Sequence, residues 1–264
     1  MQSPYQRAGT FKESSEDDAT HREHLRRMTE FYERTGGQYN KWHCNPSYES
    51  SHDFAVSELL RTMGEVQAKS LLDVGCGTGR ATRAALDKGY EATGLDISSS
   101  LLDIAHRELG IPRERLIVGD ATRLPFPADS FDFGCTLGTL HHSAQPVKII
   151  SELIRVCRRG IIVSDEANHF GGGVKALLLK VGLFKPVYWM LFRRPPRTQR
   201  RSVDSEDDGP AFAFSMEEVI PTLRGHFKRF RCLTFYRFGK WQIHAYRLPR
   251  LFARQAVVVV TDKR

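Results

Sequence analysis

The residues best suited to chemistry stand in one run, LLDVGCGTGR at 71–80. Gly75, Gly77 and Gly79 alternate there with Cys76 and Thr78, and Asp73 lies just before them. Glycine lacks a Cβ and takes positive φ readily, so such a turn lets a ligand approach the main chain. The helical pattern ATRAALDKG follows at once. A helix start offers unpaired N–H donors and a partial positive charge, which suits a nucleotide-type ligand. Downstream, Asp96 closes GLD, Asp120 closes IVGD, and a histidine pair, His141–His142, follows TLGTL. Carboxylates accept hydrogen bonds from hydroxyl and amino groups. Histidine, with an ordinary pKa of about 6.5, moves protons around neutral pH.

Each of these groups falls at the end of an apolar run, so strands must position them. KSLLDVGC (69–76), YEATGLDIS (90–98), RLIVGDA (115–121), SFDFGCTLG (130–138) and GIIVSDE (160–166) read as five strands. Helical patterns separate most of them: 79–88, LLDIAHREL (101–109) and PVKIISELIRVC (146–157). That alternation predicts a parallel sheet with helices on both faces, and a site at the carboxyl ends of the strands. FSMEEVIPTLRGHF (214–227) predicts a further helix, shortened by Pro221. FKRFRCLTFYRF (227–238) and AVVVVTDKR (256–264) predict two last strands. Upstream, residues 21–35 predict a helix that GGQYNKWHCNPSY (36–48) breaks, and His52–Met63 a second one. Residues 1–20, polar and poor in large apolar side chains, read as disordered.

Composition narrows the class. The N-terminus has no apolar h-region, and no apolar run of about 18 residues reads as a membrane span. The five cysteines form no CxxC pair, so reduced thiols in a cytoplasmic setting are expected, and no metal site. Residues 1–170 carry 20 Lys/Arg against 24 Asp/Glu, whereas 171–264 carry 19 against 7. The basic C-terminal third points to an anionic partner or to a solvated basic surface.

A dinucleotide fingerprint, GxGxxG, would need a glycine where Arg80 stands. The ordered set DVGCGTG, GLDIS, GDATRLPFPADSFDF and TLGTLHHS instead resembles the class I S-adenosylmethionine-dependent methyltransferases, most closely the UbiE-like small-molecule group. The resemblance covers about residues 50–170, and the last two strands more weakly. It implies a Rossmann-like α/β fold with a seven-stranded sheet, spanning 21–264. A helical cap (21–50) and a lid inserted after the fifth strand (171–210) would complete it. It also implies S-adenosylmethionine as cofactor. By the same resemblance, Gly75, Cys76, Gly77, Thr78 and Gly79 pass beneath the cofactor's amino acid part and ribose. Asp73 faces its ammonium group, and Asp96 takes the ribose hydroxyls. Ile97 packs on the adenine, and Asp120 with the Ala121 N–H holds the adenine edge. Thr136 and Leu137 line the methionine side, and Tyr39 lies near it.

Methyl transfer needs a base only where the acceptor must lose a proton. His141 and His142 are the candidates, the alternative being one ring closing the loop and one packing. Glu166, Asn168 and His169 follow the fifth strand and are candidates to face substrate. Cys76 and Cys135 read as packing residues. The expected reaction is methylation of a small molecule, oxygen first, with a lipid- or quinone-like acceptor suggested by the aromatic, basic insertion. That insertion also suggests an anionic membrane surface as a peripheral partner. An RNA substrate held by the basic third, or a non-catalytic cofactor-binding protein, are the alternatives.

Overall fold

A computed structural model describes the backbone of residues 6–7, 16–43, 46–166, 202–205, 209–212, 214–238, 241–245 and 255–264. Side chains are described for 21–36, 51–165, 209–212, 214–234 and 255–264. In chain order the strands are β1 (Gln6–Arg7), β2 (Ser70–Val74), β3 (Glu91–Asp96), β4 (Leu116–Val118), β5 (Phe131–Leu137) and β6 (Cys157–Glu166). They continue with β7 (Ser202–Ser205), β8 (Gly209–Phe212), β9 (Phe227–Phe238), β10 (Trp241–Ala245) and β11 (Gln255–Lys263). The helices are α1 (Glu16–His43), α2 (Pro46–Glu65), α3 (Arg80–Asp87), α4 (Ser99–Leu109), α5 (Pro146–Val156) and α6 (Ile220–His226).

One sheet runs β1-β4-β3-β2-β5-β6-β11-β9-β10, and β7 pairs with β8 in a separate hairpin. The seven central strands are the expected Rossmann-like sheet; β1 and β10 extend its edges. β4, β3, β2, β5 and β6 are mutually parallel, while β11 runs antiparallel to both β6 and β9. The chain moves from β2 outward to β3 and β4, then returns to β5 on the other side. The crevice outside the carboxyl ends of β2 and β5 is therefore the topological switch point, where ligands bind in such sheets.

Alternation along each strand feeds two cores. Leu72, Leu95, Ile161 and Val258 face α5 and α6, whose Ile150, Leu153 and Leu223 are buried. Leu71, Phe133, Ile162 and Val257 face the other way, onto Ala55, Leu59 and Met63 of α2 and Ala81 and Ala85 of α3. Each fully buried Leu, Ile or Phe is worth roughly 1.5–3 kcal/mol of transfer free energy. Local signals set the helix ends that bear on the site. Ser98 caps α4 by accepting from the Leu101 N–H, and Gly110 closes it with φ 63°. Pro146 starts α5, where its missing N–H costs nothing.

The structure corrects three helix boundaries and adds elements the sequence did not show. α1 begins at Glu16, inside the segment read as disordered, and it runs through Gly36–Gly37 to His43 rather than breaking there. Gly36 is buried where α1 crosses α4: a Cβ there would lie 3.2 Å from Ser100 Oγ. That glycine serves close helix packing, not termination. α2 starts at Pro46, six residues earlier than expected. The acidic stretch around 202–210 holds the β7–β8 hairpin, and β10 was not anticipated. Residues 171–201 of the expected lid, including the basic stretch 193–201, lie outside the described residues. Among the described residues, no helix is long and apolar enough to cross a membrane.

Candidate functional site

Gly75, Gly77 and Gly79 carry φ values of 71°, 53° and 84°, the left-handed region that favours glycine. Two of them are also required by the protein's own packing. A Cβ on Gly75 would meet Thr139 Cγ2 at 2.3 Å, and one on Gly79 would meet Ile111 Cδ1 at 2.5 Å. The loop is pinned from both sides: the Gly75 and Cys76 N–H groups donate to the Leu95 carbonyl, and Thr139 Oγ1 donates to the Gly75 carbonyl at 3.3 Å. Gly75, Cys76, Gly77 and Thr78 line a cavity at the switch point, with Arg80 at the start of α3.

The three predicted carboxylates divide into different roles. Asp96 lines the cavity and is 7% exposed. Its Oδ2 accepts from the Gly77 N–H at 2.8 Å and its Oδ1 from the Ser98 N–H at 2.9 Å. Burial pushes its carboxyl above the ordinary range in spite of those bonds. Asp120 also lines the cavity; its Oδ2 accepts from His21 Nε2 at 2.9 Å, and its Oδ1 from the Thr122 N–H at 2.8 Å. Burial acts to raise this carboxyl, but the bonds from His21 and Thr122 outweigh it and hold it below the ordinary range. Asp73 is not among the lining residues. It lies beneath the loop, where its Oδ2 accepts from the Thr82 N–H and hydroxyl at 3.1 and 2.7 Å, and its Oδ1 from Cys135 Sγ. Its burial raises its pKa too. Asp73 thus ties β2 to α3 instead of facing the cavity. Burial also pushes the Cys76 and Cys135 thiols far up, with the Asp73 charge adding to it, which leaves neither as a nucleophile at neutral pH.

The loop after β4 is stapled by α5. Arg155 donates to the Phe126 and Leu124 carbonyls, and Glu152 accepts the Leu124 N–H at 2.8 Å. Asp120, Ala121 and Thr122 are thereby held at the rim.

α1 supplies a wall that the sequence did not assign. His21, His24, Leu25, Met28 and Tyr32 fall on one helical face and line the cavity. His21 reaches Asp120 on one side, and His24 Nε2 donates to the His142 carbonyl at 2.6 Å on the other. Burial lowers the His24 pKa and favours its neutral ring.

The histidine pair sits in a 3-10 turn, Leu140–His142, directly after β5. His142 lines the cavity and donates from Nδ1 to the Pro210 carbonyl at 3.0 Å. His141 does not line it. Its Nδ1 donates to Asp165 Oδ1 at 2.8 Å, and its ring centroid lies 4.0 Å from that of His142. Asp165, buried on β6, also accepts the Leu140 N–H at 2.7 Å. That carboxylate therefore fixes the turn that presents His142.

Of the other expected residues, Ile97, Ala121 and Leu137 line the cavity. Thr136 points into the sheet packing instead, and its buried Oγ1 has no hydrogen-bond partner among the described residues. Strand alternation explains this: Leu137 and Thr136 face opposite ways. The side chains of Tyr39 and Glu166, and the whole of Asn168 and His169, lie outside the described residues. Among the described residues, no group of three or more His, Cys, Asp or Glu could hold a metal. His21, His24, Tyr32, Thr139 and Asp165 went unassigned by sequence reasoning. Only His21 and His24 had a usable signal, their helical spacing with Leu25, Met28 and Tyr32.

The donor set fits the cofactor that the resemblance implies. A carboxylate has about four lone-pair positions, and backbone N–H groups take one on each Asp96 oxygen. The Ile97 backbone also bonds to this carboxylate, and the acceptor capacity that remains suits a neighbouring hydroxyl. Leu95, Ile97, Leu101 and Ile149 add apolar surface beside them.

Comparison with known proteins agrees. A family described as "Methyltransferase domain" matches residues 72–164. The demethylmenaquinone methyltransferase of Lysinibacillus sphaericus is 30% identical over 189 residues, covering 69% of this chain and 80% of that protein. That of Renibacterium salmoninarum is 35% identical over 112 residues, covering 42% of this chain and 46% of the relative, about half its length. Magnesium protoporphyrin IX methyltransferase from Synechocystis, solved with bound S-adenosylhomocysteine, is similar in fold: TM-score 0.54, 16% identity, 90% of this chain and 100% of that one.

Proposed function

The chain belongs to the class I S-adenosylmethionine-dependent methyltransferases of the UbiE-like group, and on that premise we propose that it methylates a hydroxyl-bearing, quinone-type small molecule, at oxygen. One observation carries the reading. His142 lines the same cavity as Asp96 and Asp120, so a proton acceptor shares a space with the groups suited to the cofactor. The names of the relatives, demethylmenaquinone methyltransferases, support a quinone-type acceptor.

Bound S-adenosylmethionine supplies a methyl group on a positively charged sulfur. Asp96 would hold the ribose hydroxyls, and Asp120 would take the adenine amino group. The glycine loop lets the main chain lie close beneath the amino acid part. The wall from α1 adds Leu25 and Met28 as apolar surface to this space. At the rim, His142 takes the proton of the acceptor hydroxyl. With that proton held on His142, the acceptor oxygen would be the nucleophile for the methyl group that the cofactor would supply, the S–C electron pair staying with the sulfur. Positioning two reactants in line contributes the larger share of such a rate enhancement, and the base adds roughly 10²–10⁴-fold.

The test is transfer of a ¹³C-labelled methyl group from the cofactor to hydroxylated naphthoquinols, read by mass and by NMR. A labelled methoxy carbon supports the proposal. A label on a ring carbon would move the acceptor atom from oxygen to carbon. No label in any quinol, with the cofactor bound, would remove the acceptor class.

A further inference from the structure

We infer that the β7–β8 hairpin is a positioning element for His142: the Pro210 carbonyl holds that ring in the Nδ1–H tautomer and so makes Nε2 its proton-accepting nitrogen. The donor direction follows from chemistry. A carbonyl oxygen only accepts, so the 3.0 Å contact between His142 Nδ1 and the Pro210 oxygen places the proton on Nδ1. In a neutral imidazole the other nitrogen then carries the lone pair. A histidine ring in water prefers the opposite form, with its proton on Nε2. The hairpin therefore holds the less favoured tautomer.

The hairpin is seated well enough to do this. Gly209, at φ 79°, lets β8 press onto α1, where a Cβ would lie 2.7 Å from Phe31 Cδ1. Phe212 packs its ring 4.6 Å from that of His24. His24 in turn donates to the His142 carbonyl at 2.6 Å. From the other side the His141 ring, fixed by Asp165, lies against His142. α1, β8 and the 3-10 turn thus form a closed ring of contacts around one imidazole. The consequence, which rests on the reading of His142 as the base, is a coupling. Without the Pro210 carbonyl at Nδ1, the ring would return to the Nε2–H form and could not take a proton at that nitrogen.

The tautomer can be read without any cofactor or acceptor. ¹⁵N-histidine-labelled chain, in a long-range ¹H–¹⁵N spectrum at a pH where the ring is neutral, reports each nitrogen separately; His142→Gln identifies the signal. The expected result is a protonated-type shift for Nδ1 and a lone-pair-type shift for Nε2. In Gly209→Val, and independently in Phe212→Ala should the first variant lose its fold, the two shifts exchange toward the solution form. A wild-type His142 carrying its proton on Nε2 would overturn the proposal, as would an unchanged tautomer in a folded Gly209→Val. Methyl transfer that survives His142→Gln would instead remove the base reading, and the spectrum would still decide the tautomer.

Discussion

At the scale of residues, the buried carboxylates in and beneath the site each accept from specific donors of the chain. Asp73 shows how much this matters away from the cavity. Its carboxylate relies on Thr82 for two bonds, and bonds to charged groups are worth about 1.5–3 kcal/mol each. Thr82→Val keeps the shape and removes the hydroxyl donor. It should lower unfolding stability by about 1.5–3 kcal/mol in a denaturant titration, with α3 affected first. His142 gives the complementary prediction. His142→Gln should reduce single-turnover methyl transfer roughly 10²–10⁴-fold while cofactor affinity stays nearly constant, because only the proton-transfer step is removed. A loss of affinity as large as the loss of rate would place His142 in cofactor binding instead.

At the scale of elements, α1 is the part of the site whose placement is most exposed to a single change. A Cβ on Gly36 would lie 3.2 Å from Ser100 Oγ and 3.7 Å from Ile104 and Leu101 side-chain atoms, so a large side chain does not fit without a shift of α1. Gly36→Leu should push α1 away from α4, carry His21 and His24 off the rim, and weaken cofactor binding at least 10-fold in a calorimetric titration. An unchanged affinity would show that α1 contributes no wall. The same helix explains what could be read from the chain. The strands and the three inter-strand helices were legible because each needs only a local pattern, alternation or a 3.6 period. Asp96 and Asp120 were legible because a strand end places them. Gly36–Gly37 misled because glycine signals both breaks and close crossings, and only the partner helix distinguishes them. His21 meets Asp120 across 99 residues, which no local pattern encodes. Asp165 was missed by one position: Glu166 drew attention beside it, and the contact that gives Asp165 its role, with Leu140 and His141, is 24–25 residues away in the chain. The β7–β8 strands, four residues each, hide in an acidic, turn-rich stretch.

At the scale of the molecule, one rim of the sheet carries the cavity described above, and the opposite end carries a charge cluster. Asp132 there accepts from the Lys69 and Ser70 N–H groups and pairs with Arg158 and Arg159. Although burial acts to raise it, those partners hold its carboxyl below the ordinary range, as Asp120 is held at the rim. Carboxyls lowered by folding stabilise the chain fully above their unfolded value, about 3.9, and lose that contribution as pH falls through the folded one. Asp96 has the opposite sign: its pKa is raised by folding, so it takes up a proton earlier, and acid relieves its burial. Cofactor affinity should therefore decline at a higher pH than the chain unfolds, which titration calorimetry and circular dichroism at matched pH would resolve. Coincident transitions would contradict the assignment of Asp96. The most direct measurement is calorimetric titration of S-adenosylmethionine into the wild-type chain and Asp96→Ala. One site is predicted, weakened roughly 10–100-fold or more by the substitution, the worth of its charge-assisted bonds. Equal affinity in the two proteins, or no binding to the wild type, would contradict the account.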